Sequence, residues 1–326
     1  MRFQPDYTFQ LISEEEFPEK ILQIQDRLTE CRKEGFFHGF DGNKLYYEYF
    51  LAEASAASVV IVHGLSEFTK KYYEMAYYML NQGFNVFLYD QRGHGKSCRQ
   101  VARPELIHVD KFRDYIQDLE CFMTQVVQPA DPKPVLLYSH SMGGAVSLLY
   151  MEQHPDKIQR AVCCAPMIEP TTAVNPTVAR AGLSVMRWFK SDKTKFRFSA
   201  EFNPNLKFEQ TKDKSRCRFQ HNFNMRLAEP IYRSTPMTLG WVCEALKVRA
   251  RILKNQHKLR CPILVLSADQ DMVVSNRAQR DFAQKCPMCI FRTHRNTNHS
   301  VLAGSALEME EHILTTLRFL FDGTYD

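Results

Sequence analysis

A chain of 326 residues with 44% hydrophobic and 24% charged residues has the composition of an ordinary globular protein, one large domain or a domain with an insertion. No uninterrupted apolar run approaches the ~18 residues that span a bilayer, and the Met1-Arg2-Phe3-Gln4-Pro5 start lacks the pattern of a signal peptide, so the expected compartment is cytoplasmic. The ten cysteines are scattered or sit inside apolar runs, as small buried hydrophobes do, and the net charge of +5 conceals a strong asymmetry. Residues 187–254 hold sixteen Lys/Arg against six Asp/Glu, a net +10 that leaves −5 on the rest of the chain.

In chain order, residues 1–34 read as an N-terminal arm with a polar helix around 19–33. Aromatic-rich runs at 35–40 and 44–50 are joined through Asp41-Gly42, a strong hairpin signal. Continuous apolar strands then alternate with helical stretches: 58–62, a helix over 71–80, 85–89, a helix over 112–127, 135–138, a helix from Ser141, and 161–165. Such alternation predicts an α/β fold, a mostly parallel central sheet with helices on both faces. The pattern breaks near Pro166. From 170 to about 256 the chain is polar, basic and helical in places, and alternation resumes with 263–267, a helix over 276–284, 290–294 and an amphipathic helix over 305–321. One core interrupted by an insertion explains this, because the C-terminal strands could not form a sheet alone. The expected division is a core of 35–167 and 257–326 with an inserted helical cap at 168–256.

The most informative run is Val135-Leu136-Leu137-Tyr138-Ser139-His140-Ser141-Met142-Gly143-Gly144. A buried strand passes through a tight turn into a helix, the context that holds a serine hydroxyl exposed on a sharp elbow. The usual pattern is G-x-S-x-G; Ser139 replaces the first glycine and Gly143 keeps the second. A nucleophilic serine needs a base and an orienting acid, which follow in the order serine, acid, histidine. The strand at 263–267 leads into Asp269 and Asp271, and the strand at 290–294 into the loop carrying His299. Asp271 is preferred over Asp269 because the apolar Met272-Val273-Val274 anchors it. His299 is preferred over His294, which still belongs to the strand. The backbone N–H groups of Met142 and Leu65, the latter after His63-Gly64, are the expected oxyanion donors.

Two other motifs carry less. Gly95-Lys96-Ser97 resembles a phosphate loop, but that pattern needs glycine at position 90, where Asp90 stands; the glycines shape a structural turn instead. Cys286-Pro287-Met288-Cys289 lacks a second ligand pair and leads into a strand, so no metal or redox role is expected. No cofactor is expected.

Together His63-Gly64-Leu65, the stretch 89–97, His140-Ser141-Met142-Gly143-Gly144, residues 268–276 and Asn298-His299 resemble the α/β-hydrolase superfamily. The likeness is narrower still to its serine lipase branch, with monoacylglycerol lipases and bacterial lysophospholipase L2. Residues 112–119, His154-Pro155, Ala165-Pro166-Met167 and 273–277 extend it over most of 55–322; it is weakest in the insertion and the arm. The resemblance implies a triad of Ser141, Asp271 and His299, a cap over the pocket, and hydrolysis of lysophospholipid or monoacylglycerol esters. A carboxylesterase or thioesterase with a soluble substrate, and a non-catalytic ligand-binding protein of the same fold, are the alternatives. Aromatic and basic interleaving in the insertion suits an acyl channel facing an anionic membrane from the cytoplasmic side. Nothing in it forms a nucleic-acid recognition module.

Overall fold

The computed structural model describes residues 11–172, 174 and 176–324; the expected arm over 1–10 lies outside them. Eight strands form one sheet in the order β1-β2-β4-β3-β5-β6-β7-β8. They are β1 (Lys33–His38), β2 (Lys44–Phe50), β3 (Ala57–Val62), β4 (Phe84–Tyr89), β5 (Val135–His140), β6 (Arg160–Cys164), β7 (Ile263–Ala268) and β8 (Cys289–His294). The hairpin β1–β2 is antiparallel, as is β2 against β4; every later pairing is parallel. Gly42 takes φ 79° in the Asp41-Gly42 turn, a conformation that β-branched and bulky residues avoid.

The parallel strands read as unbroken apolar runs because both of their faces are covered. Val60, Val62, Leu137, Cys163 and Val265 point to one layer, with α3 (Arg113–Phe122), α5 (Met142–Gln153) and α10 (Asn276–Lys285). Val59, Ile61, Tyr138, Cys164 and Leu266 point to the other, with α1 (Phe17–Cys31), α2 (Tyr73–Asn81) and α11 (Ala306–Asp322). Alternate residues of each strand thus serve opposite layers.

Two elements differ from the sequence reading. The helix expected around 19–33 is present as α1, but it is not polar all round: it buries Phe17, Ile21, Ile24 and Leu28. That is a helical stripe whose surrounding charges mask it in any average of hydropathy. The helix expected over 112–127 is α3 followed by a π-helical turn at Met123–Val127 and the single turn α4 (Gln128–Ala130).

Between β6 and β7 lie α6 (Pro176–Phe189), α7 (Arg216–Ala228), α8 (Leu239–Ala245) and α9 (Val248–Asn255), and among the described residues no strand. These helices do not stand apart as one body. Helices α8 and α9 sink Trp241, Ala245, Val248 and Ile252 into the core layer of α3 and α5, while Leu183 of α6 packs on Leu239, Cys243 and Leu246. Helix α7 is fastened by Arg218, whose guanidinium is buried and donates to Glu74 of α2 at 2.9 Å and to the Ile12 carbonyl at 3.0 Å.

Removing one partner of a buried ion pair costs about 3–5 kcal/mol, because the other charge stays behind undressed. Arg218→Met is therefore expected to lower unfolding free energy by roughly that amount in urea titrations. The double variant Arg218→Met/Glu74→Gln should recover a large part of the loss; equal instability of single and double variants would contradict this account.

Candidate active site

Ser141 occupies the turn between β5 and α5 with φ 52° and ψ −117°, a conformation rare for a residue with a side chain. Such strain costs about 1–3 kcal/mol and persists only where neighbours over-determine it. They do so here: its N–H donates to the Cys164 carbonyl at 2.9 Å, and its own carbonyl accepts from Met167 at 2.8 Å and Gly144 at 3.0 Å. The helix starts so close to β3 that a Cβ on Gly143 would lie 2.0 Å from the Val62 carbonyl oxygen. Ser139, in place of the usual glycine, faces another way; its hydroxyl donates to the Val162 carbonyl at 3.3 Å.

His299 Nε2 lies 2.9 Å from Ser141 Oγ, and His299 Nδ1 lies 2.7 Å from Asp271 Oδ2. The second carboxylate oxygen of Asp271 accepts the N–H groups of Val273 at 2.8 Å and Val274 at 3.0 Å, which fixes the plane of the acid. Asp269 is engaged elsewhere, accepting from the Thr297 N–H at 3.0 Å and closing the loop after β8. His294 is buried at the end of β8 with its Nδ1 3.3 Å from Glu311. Burial alone would raise the Asp271 carboxyl, but the His299 hydrogen bond and the two backbone donors bring it below the ordinary value. Burial depresses His299 below the usual histidine range, partly offset by Asp271. A neutral imidazole beside a hydroxyl, oriented by an ionised acid, is the arrangement that activates a serine.

Of the expected oxyanion donors, Met142 follows Ser141 directly, and the loop that carries Leu65 nears the turn at Gly64, where a Cβ would lie 3.0 Å from His140 Nδ1. Met142 is the first residue of α5, where helical N–H groups lack an intrahelical acceptor. Leu65 follows Gly64, whose own N–H is committed to Glu67. His63 pins the same loop: its Nε2 accepts from the Gln91 N–H at 2.9 Å. The glycine turn after β4 has Gly93 and Gly95 at φ 80° and 46°, wrapped on buried Asp90, which accepts from Thr69 and Lys96 at 2.8 Å each.

Sequence reasoning missed a second layer of support. The buried Glu67 carboxylate accepts from Gly64 N–H and Tyr72 OH, pairs with Lys71, and lies 3.1 Å from His140 Nδ1. His140 Nε2 in turn lies 3.0 Å from the His299 carbonyl oxygen. Both neighbours are acceptors, so the ring links the carboxylate of one loop to the backbone of another. Burial opposes the Glu67 charge, yet Lys71 and His140 hold its carboxyl well below the usual range. The only hint in the sequence was a glutamate three residues after Gly64 and a histidine just before Ser141.

No group of three or more His, Cys, Asp or Glu side chains that could hold a metal occurs among the described residues. Cys286 follows the end of α10 and Cys289 opens β8, both as free thiols.

The family profile described as serine aminopeptidase, S33, matches residues 53–303. Lysophospholipase L2 of Escherichia coli K12 is 31% identical over 258 residues, 78% of this chain and 75% of that protein. The monoglyceride lipase of Mus musculus is 22% identical over 238 residues, 73% of each. Among solved structures, a soluble variant of Saccharomyces cerevisiae monoglyceride lipase with a substrate analog superposes with a TM-score of 0.69. That match covers 88% of this chain and 94% of the other at 18% identity, which establishes likeness of fold alone.

The lowered proton affinity of His299 can be measured directly. The folded-state proton affinity is lowered, so NMR of ¹⁵N-histidine-labelled protein should show the His299 ring still neutral at pH 6.5 and titrating below it. Asp271→Asn removes a contribution that favours the charged ring and should move that midpoint lower still. A wild-type midpoint above 6.5 would contradict the burial argument.

Proposed function

The chain belongs to the serine aminopeptidase S33 family of α/β-hydrolase-fold enzymes, and from that membership we propose that it hydrolyses the single acyl ester of lysophospholipids or monoacylglycerols through an acyl-enzyme on Ser141. The observation that carries the reading is the unbroken contact from Asp271 through His299 to the Ser141 hydroxyl.

In this mechanism His299 Nε2 takes the Ser141 proton as Oγ attacks the ester carbonyl carbon. The N–H groups of Leu65 and Met142 receive the negative oxygen; one such donor is worth about 10²–10³ in rate. Collapse of the tetrahedral species expels the glycerol-bearing alcohol, which takes its proton from His299. Water, deprotonated by the same imidazole, then releases the fatty acid and restores Ser141. Asp271 keeps the proton on Nδ1 in the resting ring and stabilises the imidazolium. Glu67 and His140 hold the loops that carry Leu65 and His299.

Inserted residues 168–256 act in this reading as the cap, and its outer helix as the lipid-facing element. Helix α6 has two apolar faces. Leu183 and Met186 turn toward α8, whereas Val185, Trp188 and Phe189 stand in solvent at 55%, 84% and 79% exposure, and Phe198, nine residues further along the chain, is 77% exposed. Exposed Lys190, Lys193 and Arg197 flank them. A rim of cations around aromatic side chains suits docking on an anionic lipid surface. Among the described residues no helix is long and apolar enough to cross a membrane.

Hydrolysis of lysophosphatidylglycerol and of 1-monooleoylglycerol, set against p-nitrophenyl acetate, tests the substrate. A higher kcat/KM on the lipids is expected, and preference for the acetate would point to a soluble ester or thioester instead. Ser141→Ala should abolish turnover and labelling by a fluorophosphonate; persistent labelling would overturn the assignment of the nucleophile.

Trp188→Ser/Phe189→Ser should weaken co-sedimentation with phosphatidylglycerol vesicles at least tenfold, since burying each aromatic is worth roughly 1.5–3 kcal/mol. Hydrolysis of the short ester should be unaffected. Unchanged vesicle binding would remove α6 from the lipid-facing role.

A further inference from the structure

On the mechanism above, a substrate ester sits between the loop of His299 and the loop of Leu65, and helix α7 spans both. Just before its start, the Lys214 and Ser215 N–H groups donate to the Ala303 carbonyl at 2.9 and 3.0 Å, and the side chain of Asn298, next to His299, donates to the Lys212 carbonyl. Beyond its end, Tyr232 stacks on Phe68 with ring centroids 4.2 Å apart, and Glu229 pairs with Lys70 at 3.1 Å. Phe68 and Lys70 continue the loop of Leu65 and Glu67. The helix thus reaches from the histidine loop to the oxyanion loop.

Two arginines stand at the oxyanion end without acids. Arg226, in the last turn of α7, gives Nε to the Tyr232 carbonyl at 3.2 Å and Nη2 to the Thr235 hydroxyl. Arg233 gives Nε to the Arg226 carbonyl at 2.8 Å and Nη2 to the Leu227 carbonyl at 2.6 Å. Both guanidinium groups lie over the Phe202 ring, 4.8 and 5.5 Å from its centroid. Among the described residues neither pairs with a carboxylate, and neither Nη1 has a hydrogen-bond partner. Both side chains are only half-buried, and their free Nη1 groups are not sealed from solvent.

Elsewhere in the insertion Arg218, Arg249 and Arg251 each meet a carboxylate. Around Arg226 the acids are already engaged. Glu229 pairs with Lys70, and Glu67, the carboxylate whose field reaches Arg226, is held by Lys71, His140 and the Tyr72 hydroxyl. Burial lowers Arg226 only to about 10, so it stays charged at neutral pH. The Phe202 ring eases the repulsion between the two cations but carries no charge of its own. What is missing at this end of α7 is an anion. Phosphate suits it, because its oxygens accept two parallel N–H bonds from a planar guanidinium.

We propose that Arg226 binds the phosphate of a lysophospholipid headgroup, with Arg233 adding to the field, while the ester on the same glycerol lies at Ser141. This rests on the hydrolase reading of Ser141 and deepens it: the pair selects lysophospholipids over monoacylglycerols. A monoacylglycerol offers only hydroxyls there and leaves both charges uncompensated. The phosphate does not change charge during acyl transfer, so its contact is alike in the ground and transition states. Loss of such a contact raises KM rather than lowering kcat.

The test compares 1-oleoyl-lysophosphatidylglycerol with 1-monooleoylglycerol, each dilute in uncharged detergent micelles so that docking on an anionic surface does not enter. In Arg226→Gln the ratio of kcat/KM for the lysophospholipid to that for monooleoylglycerol should fall about tenfold or more, the worth of a charge-assisted hydrogen bond, with the loss in KM. Arg233→Gln should lower the same ratio by less. A second arm needs no variant. With the wild type, glycerophosphoglycerol should inhibit monooleoylglycerol hydrolysis competitively, and inorganic phosphate at the same concentration should not. An unchanged ratio in Arg226→Gln would overturn the assignment, whether both activities fall together or neither falls. Equal inhibition by inorganic phosphate would give the cations to a free anion and overturn the headgroup. Should Arg226→Gln fail to fold, absence of inhibition by glycerophosphoglycerol overturns the proposal on the wild type alone. A wild type that cleaves neither lipid would sink the hydrolase reading itself, and this proposal with it, a result distinct from all the others.

Discussion

The approach of helix α5 to the end of β3 is the constraint on which the site depends. A Cβ on Gly143 would sit 2.0 Å from the Val62 oxygen and 2.6 Å from that of His63, so no other residue fits without moving the strand or the helix. That proximity forces the chain to turn within a single residue, and Ser141 absorbs the turn at φ 52°. It also brings the N-terminus of α5 against the loop that begins at His63. One steric fact therefore strains the serine and sets the Met142 and Leu65 segments side by side. Position 139 bears no such load, which is why a serine is accommodated there and a glycine is kept at 143.

The Glu67 carboxylate joins what the sheet leaves separate. Loops after β3, β5 and β8 all emerge at the same edge of the sheet, but parallel strands do not hydrogen-bond their loops to one another. Glu67 holds Gly64 in the first loop and His140 at the end of the second, and His140 holds the His299 carbonyl in the third. Asp271 orients the imidazole ring itself; Glu67 acts only on the backbone beneath it. The two carboxylates thus divide the work of positioning one histidine, each kept ionised by a different set of donors despite burial.

What could be read from the sequence follows from how local each cause is. Strands buried on both faces advertise themselves as continuous apolar runs, and the Asp41-Gly42 turn needs only two residues to declare itself. Asp271 rather than Asp269 meets His299, but not through the apolar anchoring expected of Met272-Val273-Val274: Met272 and Val273 are exposed, and the backbone N–H groups of Val273 and Val274 hold the carboxylate. Helix α1 was read as polar because its four buried residues recur only once per turn amid charge. The Glu67–His140 contact spans 73 positions and the Arg218–Glu74 pair 144, so no window along the chain contains either.

The basic insertion is less of a free cationic surface than its composition implies. Summed over the sequence it carries +10 across residues 187–254, yet acids outside the segment offset part of that surplus. Arg218 is buried on Glu74, Arg249 pairs with Glu169, and Lys214 pairs with Glu308. Arg187 is held by Asp192 next to the exposed aromatics of α6. Lys190, Lys193 and Arg197 remain beside Trp188, Phe189 and Phe198. At about 1 kcal/mol for each basic residue near an anionic surface, the three cations supply roughly 3 kcal/mol. Each of the three aromatics supplies roughly 1.5–3 kcal/mol once buried. On the proposed reading, apolar insertion rather than charge sets the strength of docking, and raised salt should weaken it without abolishing it.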